Sequence, residues 1–270
     1  MRVINRHPDR RALLPMALLP FVILAMAYLI ASDIRLADNP NDKLLPSFES
    51  LRDAMVRMGF EVSKRSGEYL LWADTIASMI RLGTGIVISA LLGLMVGVLN
   101  GLVPWIRAGC SPFVRVLSMI PPLAILPILF IVFGLGELSK VVLIVFGIAP
   151  FIMRDMEQRV REIPHEQLIK AQTLDANTWQ IIIRVVLPQV VPRLVDAVRL
   201  ALGAAWLFLI AAEAIASTEG LGYRIFLVRR YLAMDIILPY VMWITLLAFV
   251  MDFGLRYCNK WLFPWYGAER

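Results

Sequence analysis

The sequence predicts an all-α membrane protein with about six transmembrane helices, and three observations predict it. The chain of 270 residues is 59% hydrophobic, with a mean hydropathy of +0.72, against roughly 45–50% apolar residues in ordinary globular domains. The excess lies in long runs: residues 12–31, 82–104 and 116–136 hold no charged side chain, and each has close to the ~20 residues a helix needs to cross hydrocarbon. Three shorter runs, 141–153 after Lys140, 200–212 before Glu213 and 236–251 between Asp235 and Asp252, read as further spans sheltered at their ends by neighbouring helices.

Six spans place both termini on one side. Arg2, Arg6, Arg10 and Arg11 face Asp9 alone at the start, and Arg256, Lys260 and Arg270 face Glu269 at the end. The positive-inside rule makes that side the cytoplasm. The loop 32–72 then faces outward, as does 217–235, although Arg224, Arg229 and Arg230 there run against the rule. The net charge of +6 thus reflects topology. No basic stripe with interleaved stacking aromatics points to nucleic acid. The first run is expected to remain as a span: Ala25-Met26-Ala27 fits a cleavage site, but the run exceeds a usual signal-peptide core. Cys110 and Cys258 fall at the cytoplasmic edge, where the reducing compartment disfavours a disulfide, and with no histidine nearby they make no metal site.

The expected organisation is an N-terminal tail and first span over 1–31, an outer loop over 32–72, a transmembrane core over 73–260 and a cytoplasmic tail over 261–270. In the outer loop, Asn39-Pro40-Asn41 marks a turn. Phe48, Leu51, Met55 and Met58 form a helical stripe over 47–58. The second span carries Gly85, Ser89, Gly93, Gly97 and Gly101, each four residues from the last. In lipid, such a ridge of small residues lets another helix backbone approach closely, but the ridge does not name its partner. The third span contains Pro121, Pro122 and Pro127. Each proline removes a backbone donor, which marks either a kinked packing helix or a broken one lining a transport pathway.

Enzymatic chemistry would leave clustered polar groups. The two histidines, His7 and His165, lie in polar surroundings, and no HExxH, GxSxG, CxxC or Walker A pattern occurs, since "GLGELSK" lacks the glycine before its lysine. Glu213, in "WLFLIAAEAIAS", is the acid set deepest in apolar sequence. It lies about 14 residues beyond Arg199, roughly 21 Å along a helix, which places it in the outer half of the membrane. A charge there serves either a pathway or a structural bond to a neighbouring helix. The spans offer no obvious buried lysine or arginine. Asp196 and Arg199, three apart, are expected to pair.

Residues 166–179, "EQLIKAQTLDANTW", are polar and amphipathic between two very apolar stretches. Leu168, Ala171 and Leu174 share a face, and Trp179 begins a second apolar patch. Such a cytoplasmic helix could lie on lipid or in a groove of a partner.

The segment "EQLIKAQTLDANTWQIIIRVVLPQVVP" resembles the EAA loop of ABC importer permeases. "PPLAILPILFIVFGLGELSK", "AAEAIASTEGLGYRI" and "FPWYGAE" resemble the nitrate, sulfonate and taurine branch of that family, over about residues 70–268. The resemblance implies the type I importer permease fold, with two short coupling helices at about 162–182 that dock on a cytoplasmic ATPase. Mapped onto this sequence, Lys170 stands where the family has its Glu, Ala171 and Gln172 where it has Ala-Ala, and Asp175 where it has Gly. Leu187 and Pro188 match the closing Leu-Pro. Glu166 and Leu174 complete the implied docking set. Lys170, Gln172 and Asp175 depart from the pattern. The Asp175 departure is tolerable because aspartate can adopt the left-handed turn conformation, while Lys170 reverses a charge and implies a compensating change on the ATPase.

The resemblance further implies an ATP-driven importer in the bacterial inner membrane. This chain would be a non-enzymatic permease with no cofactor of its own. It would act with a second copy, two ABC ATPase subunits holding ATP and magnesium, and an extracytoplasmic solute-binding protein. The implied solute is small and polar or anionic, such as a sulfonate, taurine or nitrate; another small nitrogen compound or a pyrimidine precursor is the alternative. Pro121, Pro122, Pro127 and Glu213 are the pathway candidates. Two rival classes are a membrane-embedded enzyme, which would need convergent acids in the spans, and a docking or sensory subunit that transports nothing.

Overall fold

The computed structural model describes residues 10–39, 42–63 and 67–267. The charges at Arg2, Arg6, Asp9, Glu269 and Arg270, the histidine His7 and the turn residues Pro40 and Asn41 lie outside them. The described residues form helices and no strand. They fall into two compact units, one of residues 1–69 with 228–241 and one of 70–227 with 242–270.

In the first unit, α1 (Arg10–Asp38) is a long apolar helix whose Leu14, Phe21 and Leu24 are all more than two-thirds exposed. That is the pattern of a helix sided by lipid. Its C-terminal turns hold the following loop. Tyr28 Oη donates to the Pro46 carbonyl at 2.8 Å, Ser32 Oγ donates to the Leu45 carbonyl at 3.0 Å, and Arg35 pairs with Asp42. The amphipathic helix expected in the loop is α2 (Phe48–Phe60), begun by Ser47, whose Oγ accepts from the Ser50 N–H at 3.2 Å.

The second unit is a bundle centred on α3 (Leu70–Leu102) and α6 (Glu137–Arg161). The small-residue ridge of α3 meets α6. A Cβ added at Gly85, Gly93, Gly97 or Gly101 would stand 2.7 Å from Ile144, 2.3 Å from Ile152, 2.4 Å from Met156 and 2.4 Å from Val160, respectively. Each partner is the same number of positions further along the chain, so the two helices run parallel in constant register. Ser89 fits the ridge by donating to the Gly85 carbonyl at 2.7 Å. Helix α3 ends at Leu102, just before Pro104, and Arg107 caps it by donating to the carbonyls of Asn100 at 2.8 Å and Gly101 at 2.5 Å.

Parallel α3 and α6 require the chain between them to return along the bundle. It does so through α4 (Pro104–Leu117), a 3-10 turn (Pro122–Ile125) and α5 (Leu126–Phe133). The run 116–136 is therefore not one straight helix, as its apolarity suggests. It is split between two helices bent by 81°. Pro121 and Pro122 account for the break, because each bars helical geometry in the residue before it and supplies no N–H.

The coupling segment leads into α9 (Leu187–Ala216), which packs antiparallel on α6: Gly147 is so close to Phe208 that a Cβ there would approach to 2.2 Å. Helix α10 is Leu221–Arg229 and α11 is Met234–Leu262. The end of α11 and the tail dock on the start of α9. Arg199 Nε donates to Asp252 at 2.8 Å, Asn259 Nδ2 to the Pro192 carbonyl at 3.1 Å and Tyr266 Oη to Asp196 at 2.9 Å. The expected Asp196–Arg199 pair forms at 3.0 Å within this larger cluster.

By length and apolarity, four described helices can cross a membrane, or five with the bent α4–α5 pair, against the six expected. The shortfall is α6, whose 25 residues include Glu137, Lys140, Arg154, Asp155, Glu157, Arg159 and Arg161, leaving only its middle apolar.

Replacing Gly97 with leucine should force α3 from α6. Overpacking at a rigid backbone contact costs roughly 1–3 kcal/mol, so Gly97→Leu is expected to lower the thermal midpoint of the detergent-solubilised protein, whereas leucine at open Gly83, where a Cβ meets nothing within 4 Å, should leave it unchanged.

Candidate functional site

Two regions collect the sequence-predicted residues, one at the Arg161 end of α6 and one at its Glu137 end. At the first, Pro164 begins α7 (His165–Thr173), which places Glu166, Lys170, Ala171 and Gln172 on one short helix. The helix is closed by Leu174 and by Asp175 at φ 59°. The Ala176 N–H reaches the Ala171 carbonyl at 3.1 Å and the Asp175 N–H the Gln172 carbonyl at 3.0 Å. This is the Schellman pattern, with Asp175 in the left-handed position that glycine usually fills.

Asn177 then starts α8 (Thr178–Ile181). Its Oδ1 accepts from the Gln180 N–H at 2.9 Å while Gln180 Oε1 accepts from the Asn177 N–H at 2.9 Å. The sequence signal for this reciprocal cap is Asn-x-x-Gln in "NTWQ". Between the helices, Leu174 is 82% exposed, with Trp179 and Ile169 also open.

The pair is braced to the bundle. Gln189 Nε2 donates to Gln167 Oε1 at 3.0 Å, and Glu162 accepts from Arg193 at 3.0 Å, tying the end of α6 to the start of α9. Leu187 and Pro188 lie beyond α8, after a wide π turn at Ile182–Val186 that accommodates the missing proline N–H. They belong to α9, with Leu187 half-buried and Pro188 exposed.

At the other end, Glu213 of α9 is fully buried. Its carboxylate accepts from Ser78 Oγ at 2.8 Å, Arg81 Nη1 at 2.8 Å and the Gly222 N–H at 2.8 Å. Arg81, 3% exposed, also donates to the Glu219 carbonyl at 2.9 Å and pairs with Glu137 of α6. Lys140 Nζ donates to Glu137 at 2.8 Å and to Ser217 Oγ at 3.2 Å. Asp74 accepts from the Gly220 N–H at 2.9 Å and from Arg224 at 2.8 Å, and Ser78 Oγ accepts from the Leu221 N–H at 2.9 Å.

The cluster clamps the turn 217–222 onto α3. Gly220 is required there: φ is 121° and a Cβ would stand 2.5 Å from the Glu213 carboxylate carbon. Arg81 and Lys140 are buried cations, contrary to the expectation that the spans hold none. Each sits immediately before an apolar run, where a charge ordinarily marks the end of a span, but α3 and α6 begin earlier and draw it into the bundle. Of the other pathway candidates, Pro121 and Pro127 are exposed and Pro122 is half-buried in the α4–α5 bend. None is a hydrogen-bond partner of Glu213.

Residues 89–264 match the family of binding-protein-dependent transport system inner membrane components. The chain belongs to that family. It is 34% identical over 197 residues to the taurine transport system permease protein of Escherichia coli, spanning 73% of this chain and 72% of that one. It is 30% identical over 196 residues to the bicarbonate transport system permease protein of Synechococcus elongatus, spanning 72% and 69%. It is 29% identical over 200 residues to a putative aliphatic sulfonates permease of Bacillus subtilis, spanning 74% and 72%. An inward-facing structure of the MetNI methionine ABC transporter shares the fold, with a TM-score of 0.59 at 20% identity over 79% of this chain and 98% of that one. The protein is thus an inner-membrane permease subunit of the nitrate, sulfonate and taurine branch, with the type I importer fold.

Removing Arg81 from this permease leaves Glu213 buried without its cation, which costs about 3–5 kcal/mol. Arg81→Met is expected to lose most of its folded yield in detergent, and Arg81→Met with Glu213→Met to recover a large part. A double variant no more stable than the single one would refute the coupling between them.

Proposed function

We propose that this permease moves a small anionic solute into the cytoplasm, driven by a separate ATPase that docks on α7 and α8. The observation that carries the reading is the coupling segment. It is two capped helices hinged at Asp175, braced to α6 and α9, with Leu174, Ile169 and Trp179 exposed between polar neighbours. An apolar edge of that size, held rigid at a helix end, suits a groove on a partner protein. ATP and magnesium would be held by that partner, and hydrolysis would occur there.

Two copies of the chain enclose the pathway in this reading, and an extracytoplasmic binding protein delivers the solute. Both termini face the cytoplasm, as the arginine distribution favours. Closure of the ATPases moves the coupling helices and, through the Glu162–Arg193 and Gln167–Gln189 ties, rocks α6 and α9 as one body. The broken α4–α5 segment with Pro121, Pro122 and Pro127 borders the pathway. Glu213 serves it by holding the 217–222 turn in place. The relatives are named for taurine, aliphatic sulfonates and bicarbonate, which favours a small oxyanion as the solute.

Ala171→Asp, with a charge in the docking face, is expected to abolish co-purification of the ATPase and solute uptake while the permease still inserts. Asp175→Gly should preserve both, because glycine adopts the same left-handed turn. Normal uptake of taurine, sulfonate, nitrate or bicarbonate by Ala171→Asp would overturn the docking assignment. Absence of uptake of all four by the wild-type complex would overturn the solute class.

A further inference from the structure

We propose that the cleft between α4 and α6, at the coupling end of the bundle, binds an oxyanion through Arg115, Arg154 and Arg161. The group bound is a phosphate or a sulfonate. The cleft is a cavity of about 500 Å³. Arg154, Gln158 and Arg161 stand four and three apart on one face of α6, with the two arginines about 10 Å apart along the axis. Arg115 enters from α4, across the cleft.

The walls are fixed. Ser111 Oγ of α4 donates to Glu157 of α6 at 2.7 Å, and Arg154 Nη1 donates to Ser118 Oγ just past α4 at 3.0 Å. Of the two acids in the lining, Asp155 lies 3.6 Å from Arg159, and Glu157 is buried with the neutral Ser111 hydroxyl as its partner. Among the described residues, Arg115 and Arg161 have no ion pair, and Arg154 bonds only a neutral hydroxyl through its Nη1. Three guanidinium groups thus line the cleft against one carboxylate without an ion pair, Glu157, which leaves the lining with a net positive charge.

Guanidinium groups present paired N–H donors that match two oxygens of a phosphate or sulfonate. Phe151, 46% exposed in the same lining, offers an apolar wall to whatever the anionic group is attached to. Two sources fit this chemistry. One is the headgroup of an anionic phospholipid of the cytoplasmic leaflet, since basic pockets between helices on that side take such headgroups. The other is the transported oxyanion on its way out. The cytoplasmic placement of the cleft rests on the orientation proposed above; the cleft itself does not.

The test uses the purified full-length chain with its co-purifying ATPase. It compares phosphatidylglycerol, phosphatidylcholine and isethionate as probes, by native mass spectrometry and thermal midpoint. The variants are Arg115→Gln with Arg161→Gln, both exposed and unpaired, and the charge-conserving Arg115→Lys with Arg161→Lys. If the site is a headgroup site, wild type retains phosphatidylglycerol over phosphatidylcholine. The glutamine pair then loses that preference by about tenfold or more, and the lysine pair keeps part of it. If the site takes solute, isethionate raises the midpoint of wild type and not of the glutamine pair, and phosphatidylglycerol makes no difference. Equal response of wild type and the glutamine pair to both probes, with equal midpoints in phosphatidylcholine, overturns the site. Wild type that binds no ATPase would instead refute the proposed assembly and leave the lipid comparison readable.

Discussion

Everything in the bundle depends on how closely α3 and α6 approach. In lipid, apolar burial gives little drive for helix association, so close packing must supply it. Four positions of α3 have no side chain where Ile144, Ile152, Met156 and Val160 press against its backbone. The constant register of those contacts makes the two helices a single parallel pair. Because they are parallel, the chain between them must travel back along the bundle, and the proline-broken α4–α5 segment is how it does so. On its other side α6 presents Gly147 to Phe208, so α9 is drawn in by the same kind of contact.

The bundle is tied by polar contacts at both ends, and the two ends differ in kind. Near Glu137 the network of Asp74, Ser78, Arg81, Lys140 and Glu213 is buried and satisfied, and it converts the turn 217–222 into a fixed part of α3. Burying so many charges is costly unless each is paired and hydrogen-bonded, which is why the turn uses its own N–H groups and Gly220 to reach the carboxylates. Near Arg161 the charges are mostly exposed and the ties are few: Glu162 to Arg193, Gln167 to Gln189, Ser111 to Glu157. A bundle anchored at one end and more loosely braced at the other fits the proposed coupling, in which the ATPase acts at the second.

The coupling segment owes its form to local chemistry. Asp175 in the left-handed region ends one helix and the Asn177–Gln180 box begins the next, so the angle between them is set within six residues. The departure from glycine at 175 costs the turn nothing visible, since the Schellman bonds form. The charge at Lys170 remains exposed, free to meet an acidic group on a partner.

The sequence by itself determined the class of this protein. Apolar run length declared helices in lipid, the spacing of Gly85 to Gly101 declared a close helix contact, and the resemblance of the segment ending in Leu187-Pro188 to the EAA loop of importer permeases implied a permease. These are properties of a few consecutive turns, and a linear pattern carries them in full. Only the tertiary structure decided which helix fills the ridge, that the run 116–136 is broken by an 81° bend, and that Glu213 is held by Arg81 and Ser78. The partners of Glu213 lie 132 and 135 residues away in the chain, and the two helices of the ridge contact are separated by the whole α4–α5 segment. Arg81 and Lys140 show the physical reason: a charge beside an apolar run looks like the place where lipid stops, and only a neighbouring helix bringing a carboxylate makes it the interior of the protein.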